Sequence, residues 1–167
     1  MAIGQEIFEK QEKVDELTNL AYEAEQNGNI DEALNLYDKA WDLYPEPKEK
    51  WTEAYNAAKY VYLTCMRTRN YSTAKKWLNQ MIKDNNINHN YDGDLEFEIG
   101  KYKYETGLYE EALEFFMIAT KEGGGVRYFD GEDKKYREFY KTPENIQAGL
   151  VRGENKTQVK VQNDFIE

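Results

Sequence analysis

Gly28-Asn-Ile-Asp-Glu-Ala-Leu-Asn-Leu-Tyr-Asp-Lys-Ala40 returns twice more along the chain in altered form. The second copy is Asn70-Tyr-Ser-Thr-Ala-Lys-Lys-Trp-Leu-Asn-Gln-Met81 and the third is Gly107-Leu-Tyr-Glu-Glu-Ala-Leu-Glu-Phe-Phe-Met-Ile-Ala119. Each copy opens on a turn, continues with Ile or an aromatic residue, and then places Ala four positions before a large apolar side chain. A residue with no bulk followed one helical turn later by a large one is the pattern of two helices packed closely together. Ala33, Ala74, Gly100 and Ala112 are therefore expected at close helix contacts, with Tyr37, Leu78 and Phe116 filling the adjoining grooves.

Working outward, apolar residues at helical spacing predict helices over 5–27, 31–43, 47–69, 72–84, 92–106 and 110–121. Gly28 and Gly107 stand where left-handed helix ends favour glycine, and Asp31 and Pro47 where helix starts favour Asp or tolerate Pro. Asp92 is expected to cap the fifth helix. Gly123-Gly-Gly125 breaks the pattern, after which Asp133 is placed to open a short helix carrying Tyr136, Phe139 and Tyr140. Thr142-Pro143-Glu144 marks a further helix start.

The pattern resembles the tetratricopeptide repeat, a helical hairpin of about 34 residues marked by small residues, Ala-x3-Phe and a closing Pro. The first repeat, 14–47, carries Leu17, Leu20, Ala21, Ala33, Tyr37, Ala40 and Pro45 in register. The third, 93–126, carries Ile99, Gly100, Gly107, Tyr109, Ala112, Phe116 and Ala119 without the Pro. The second, 55–88, keeps Tyr71, Ala74 and Leu78 but has Tyr62 where a small residue is usual. Ala33, Ala74 and Ala112 lie 41 and 38 residues apart, so the linkers or first helices carry extra residues. The resemblance implies an all-α, right-handed superhelix of about three hairpins over 1–126, a short capping segment at 127–150 and a polar tail at 151–167.

At 167 residues, with 14 Tyr, 7 Phe and 3 Trp, the chain has bulk for one thin core or one short array. Its 22 Lys and Arg against 32 Asp and Glu leave a net charge of −10. That charge repels nucleic acid and acidic lipid headgroups and suits a basic protein. Cys65 has no internal partner, no basic-then-apolar leader opens the sequence, and no run approaches a membrane span of about 18 apolar residues. A reducing, cytoplasmic compartment is the expectation, and the sequons at Asn70 and Asn155 are then incidental.

No catalytic or cofactor constellation emerges. His89 and Cys65 have nothing in the sequence to bring them within hydrogen-bond reach. Asn88 to Ile99 imitates a calcium loop around Gly93 but has Ile99 where a bidentate carboxylate is required. Gly123-Gly-Gly125 lacks the following Lys-Ser/Thr of a phosphate loop. Two readings stand for the aromatic, charged run Val126 to Tyr140: its rings pack over the last repeat, or they face a partner.

The resemblance implies a non-enzymatic, cofactor-free binding module whose first helices line a groove for a peptide or helix of another protein. Carried over by register, the partner-binding residues would be Tyr22, Asn56, Lys59, Leu63, Arg67, Phe97, Lys101 and Tyr104, with Asp15, Glu25 and Asp94 beside them. Thr18, Tyr22 and Tyr60 stand where chaperone-binding members clamp a terminal carboxylate with Lys and Asn, which argues against that ligand. The rival reading is an acidic inhibitor or immunity protein that neutralises a basic toxin or nuclease; self-association through the repeats is a third.

Overall fold

A helix that must reverse needs a residue able to turn left-handed. In the computed structural model, which describes residues 3–88, 93–122 and 125–142, Gly28, Arg69 and Gly107 take φ of 80°, 57° and 82°. Each closes a helix with the same two bonds. The Gly28 N–H donates to the Glu25 carbonyl at 3.0 Å and the Asn29 N–H to the Ala24 carbonyl at 2.8 Å. Arg69 and Asn70 repeat this on Met66 and Cys65, and Gly107 and Leu108 on Tyr104 and Lys103. Asn70 also starts the next helix, its Oδ1 accepting from the Thr73 N–H at 3.3 Å.

Among the described residues there are seven α-helices and no strand: α1 Ile3–Gln26, α2 Ile30–Asp42, α3 Thr52–Arg67, α4 Tyr71–Asn88, α5 Asp94–Glu105, α6 Tyr109–Glu122 and α7 Lys134–Lys141. They pack as the hairpins α1–α2, α3–α4 and α5–α6, so the fold is all-helical, as the sequence pattern predicts. The chain divides into two compact units, Met1–Asn88 and His89–Glu167.

In the first unit α2 also packs on α3. Ala33, Ala54, Ala58 and Ala74 are fully buried at the helix contacts, and Tyr62, Leu78 and Met81 fill the space beside them. A neighbouring cluster joins Val14, Ala40, Tyr44, Ala54 and Ala57, with Trp41 and Trp51 against it. The helix expected over 47–69 is broken. Lys48–Lys50 forms one 3-10 turn, Trp51 is extended, and α3 starts at Thr52. The cause is tertiary. The Lys48 ammonium donates to the carbonyls of Trp41, Asp42 and Tyr44 at 3.2, 3.3 and 3.0 Å, closing the end of α2. The Trp51 indole donates to the Pro45 carbonyl at 3.0 Å. At the other end of α4, which runs beyond the expected 84, Asp84 is fully buried and accepts from the Gln80 amide at 2.8 Å. Burial pushes its carboxyl up to about 6.

In the second unit Gly93, at φ 86°, precedes α5; the expected cap, Asp92, lies outside the described residues. Gly100 meets α6 so closely that an added Cβ would fall 2.7 Å from the Phe116 ring. The chain then makes a 3-10 turn at Gly125–Phe129 and enters α7, whose cap Asp133 accepts from the Lys135 N–H at 3.0 Å, as expected from the sequence. Tyr128, Phe129, Tyr136, Phe139 and Tyr140 pack inward around Phe97 and Phe116. Of the two readings of that run, the rings pack on the last hairpin. The further helix start at Pro143 and the tail at 151–167 lie outside the described residues.

Two stability changes follow. Arg69→Gly removes the side-chain cost of a left-handed residue and should raise the unfolding free energy by up to about 1 kcal/mol, while Gly107→Ala, whose Cβ would meet open space, should lower it by about 1 kcal/mol through the backbone alone. Urea unfolding followed by circular dichroism checks both. Asp84 is raised in the folded chain, so its stability effect is neutral below the unfolded value near 3.9 and becomes a penalty as pH climbs through about 6. Asp84→Asn, which keeps the acceptor for Gln80, should therefore gain roughly 2 kcal/mol at pH 7 and lose that advantage below pH 4.

Candidate partner-binding groove

α1 and α3 are the first helices of their hairpins, and residues three or four apart along each share a face. Asp15, Thr18 and Asn19 of α1 face Glu53, Asn56 and Tyr60 of α3 across a cleft of about 410 Å³. Its floor is Val14, Ala57 and Tyr44, all buried. A mainly apolar hollow of about 300 Å³ continues from it, sharing Gln11, Val14, Tyr44 and Glu53 and adding Phe8, Lys10, Pro45 and Trp51. Phe8 and Tyr60 are exposed at 64 % and 51 %, unusual for rings of that size.

Charge in the cleft is negative. The Gln11 amide donates to Asp15 Oδ1 at 2.8 Å, and Glu53 stands on the opposite wall. Burial pushes the Tyr44 phenol up to about 12; a hydrogen bond with Gln11 opposes this, while the Glu53 and Asp15 carboxylates add to it. Tyr44 is thus a neutral phenol at the foot of two carboxylates.

Two turns further along both helices the walls are tied together. Arg67 donates from Nε to Glu25 Oε1 at 2.8 Å and from Nη2 to Oε2 at 3.0 Å, and the Thr64 hydroxyl donates to the same Oε2 at 2.9 Å. Burial alone would raise the Glu25 carboxyl, but the bonds from Arg67 and Thr64 outweigh it and hold the group below its usual range.

The residues named from register divide between the two units. On α1 and α3, Tyr22 is exposed at 57 %, Asn56 lines the cleft, Lys59 and Leu63 are half-buried, and Arg67 is committed to Glu25. On α5 the same register leads indoors. Phe97 is 3 % exposed and stacks on Tyr128 at 5.4 Å. Lys101 is 5 % exposed, its ammonium 2.9 Å from Glu98 and 3.1 Å from Glu132. Tyr104 is half-buried against Tyr136 and Phe139, at 5.3 and 5.0 Å. Residues 125–142 thus cover the face of α5 that register alone leaves open. Asp94, on the first turn of α5, is half-buried.

Register missed Tyr44 and Glu53, which come from the end of α2 and the start of α3 rather than from the repeated phrase. Tyr44-Pro45 at a repeat boundary was the available signal.

Cys65 is fully buried, which pushes its thiol up to about 11 and away from the nucleophilic thiolate. His89 lies outside the described residues. The sequence that imitates a calcium loop is helical from Asp94 onward, and among the described residues no three His, Cys, Asp or Glu side chains are grouped to hold a metal ion. No described helix is long and apolar enough to cross a membrane. A scan against protein-family models finds no match to the sequence, and searches of curated proteins and of solved structures find none.

Proposed function

We propose that the chain is a non-enzymatic binding module of tetratricopeptide type that holds a peptide or helix of another protein between α1 and α3. The cleft itself carries this reading: an apolar floor, hydrogen-bonding rims at Asn19 and Asn56, and the exposed ring of Tyr60, with Tyr22 exposed one turn beyond Asn19 on α1. A rim of amides and a floor of apolar carbon is what an extended backbone with alternating side chains requires. The three hairpins, each with a buried alanine before a large side chain, support the family reading. A cytoplasmic setting belongs to it as well, supported by one reduced, buried cysteine.

The acidic-inhibitor reading places the contact on charge rather than on the cleft, and the net charge of −10 favours it. The two are separable. Tyr22→Ala with Tyr60→Ala removes exposed rings only, so circular dichroism should show an unchanged fold. Partners captured from the native cell extract by the wild type should be lost by this double variant. Retention by both, with binding that collapses as salt rises, would establish the inhibitor reading instead, and turnover of any substrate by the purified chain would overturn the non-enzymatic assignment.

A further inference from the structure

The residues lining the cleft of about 410 Å³ carry charge of one sign, and Lys10 stands beyond it on the adjoining hollow. Asp15 stands on α1 and Glu53 on α3, both exposed, and neither forms an ion pair within the described residues. Asp15 accepts from Gln11 through Oδ1 alone, which leaves Oδ2 open to a second donor. Both carboxylates stand over the buried Tyr44 phenol, so the two walls and the floor between them meet at one place. Apart from the Tyr44 hydroxyl, the floor at Val14, Ala57 and the Tyr44 ring is carbon, suited to the methylene stem of a long side chain.

We propose that the cleft selects a lysine- or arginine-bearing segment of a partner protein, with the cationic head held between Asp15 and Glu53 and the stem lying over Val14 and Tyr44. This rests on the binding-module reading and adds the chemistry of the partner. A cation gains two carboxylate acceptors on opposite sides, whereas an acidic or phosphorylated segment meets repulsion from both walls. Asn19 and Asn56, one turn further along the two rims, take the backbone that follows the basic residue along the cleft.

Random short peptides displayed on phage and selected on the immobilised full chain supply the probe. Selected sequences are synthesised with a fluorophore and titrated against the wild type, against Asp15→Asn with Glu53→Gln, and against Asn56→Trp, which fills the cleft from an exposed position. The expected result is a Lys or Arg beside an apolar residue in the selected peptides. Affinity should fall at least about tenfold in the carboxylate double variant, and it should be abolished by Asn56→Trp. Peptides that are blocked by Asn56→Trp but are neutral or acidic, or that ignore the loss of both carboxylates, would overturn the proposal and leave the groove reading standing. If no selected peptide responds to Asn56→Trp, both fall.

Discussion

Close approach of paired helices is the constraint from which the remainder follows. Ala33, Ala74 and Ala112 are fully buried, and Gly100 has no room for even one added carbon against Phe116. Once two backbones are that close, the next position along must be large, or a void remains. Tyr37, Leu78 and Phe116 meet that need and are themselves buried to within a few per cent. A hairpin built in this way has one face left over on its first helix. In α1 and α3 that face becomes the walls of a cleft; in α5 it becomes the seat of the C-terminal helix.

The fold was legible because its signal is local and repeated. Ala followed by a large residue, with glycine at the turn, needs no knowledge of distant residues, and Asp133 announced α7 for the same reason. What could not be read were features decided at a distance. Arg69 occupies the position glycine holds in the other two hairpins, because the paired bonds to Met66 and Cys65 enforce the turn whatever the side chain. The break at Trp51 is set by an ammonium and an indole reaching back to α2, and no helical period contains that information.

The candidate site divides along the same line. Register put Asn56 on the face of α3 that lines the cleft and Tyr22 at an exposed position on α1, since a period of 3.6 is all that requires. It placed Phe97, Lys101 and Tyr104 by the same rule, but Tyr128, Glu132 and Phe139 then cover them. Lys101 shows why that cover is specific. A buried ammonium left with one carboxylate would be costly to hold, and Glu132 from the segment before α7 supplies the second, so the segment that seals the rings also completes the charge. Each such ring pair, stacked at Phe97–Tyr128 and edge-on at Tyr104–Phe139, adds about 0.5–1.5 kcal/mol beyond burial, which makes this cover part of its unit and not a loose appendage.

The bidentate tie between Glu25 and Arg67 has a mechanical meaning. A helix fixed near one end is a lever, and Asp15 lies ten residues from Glu25, about 15 Å at 1.5 Å per residue. Val14, next to Asp15, is itself buried against Ala40, Tyr44, Ala54 and Ala57, so the lever is held at both places. The width of the cleft at Asp15 is therefore set by the same packing that forms the core, and a change of bulk at Val14 reaches the spacing of the walls directly.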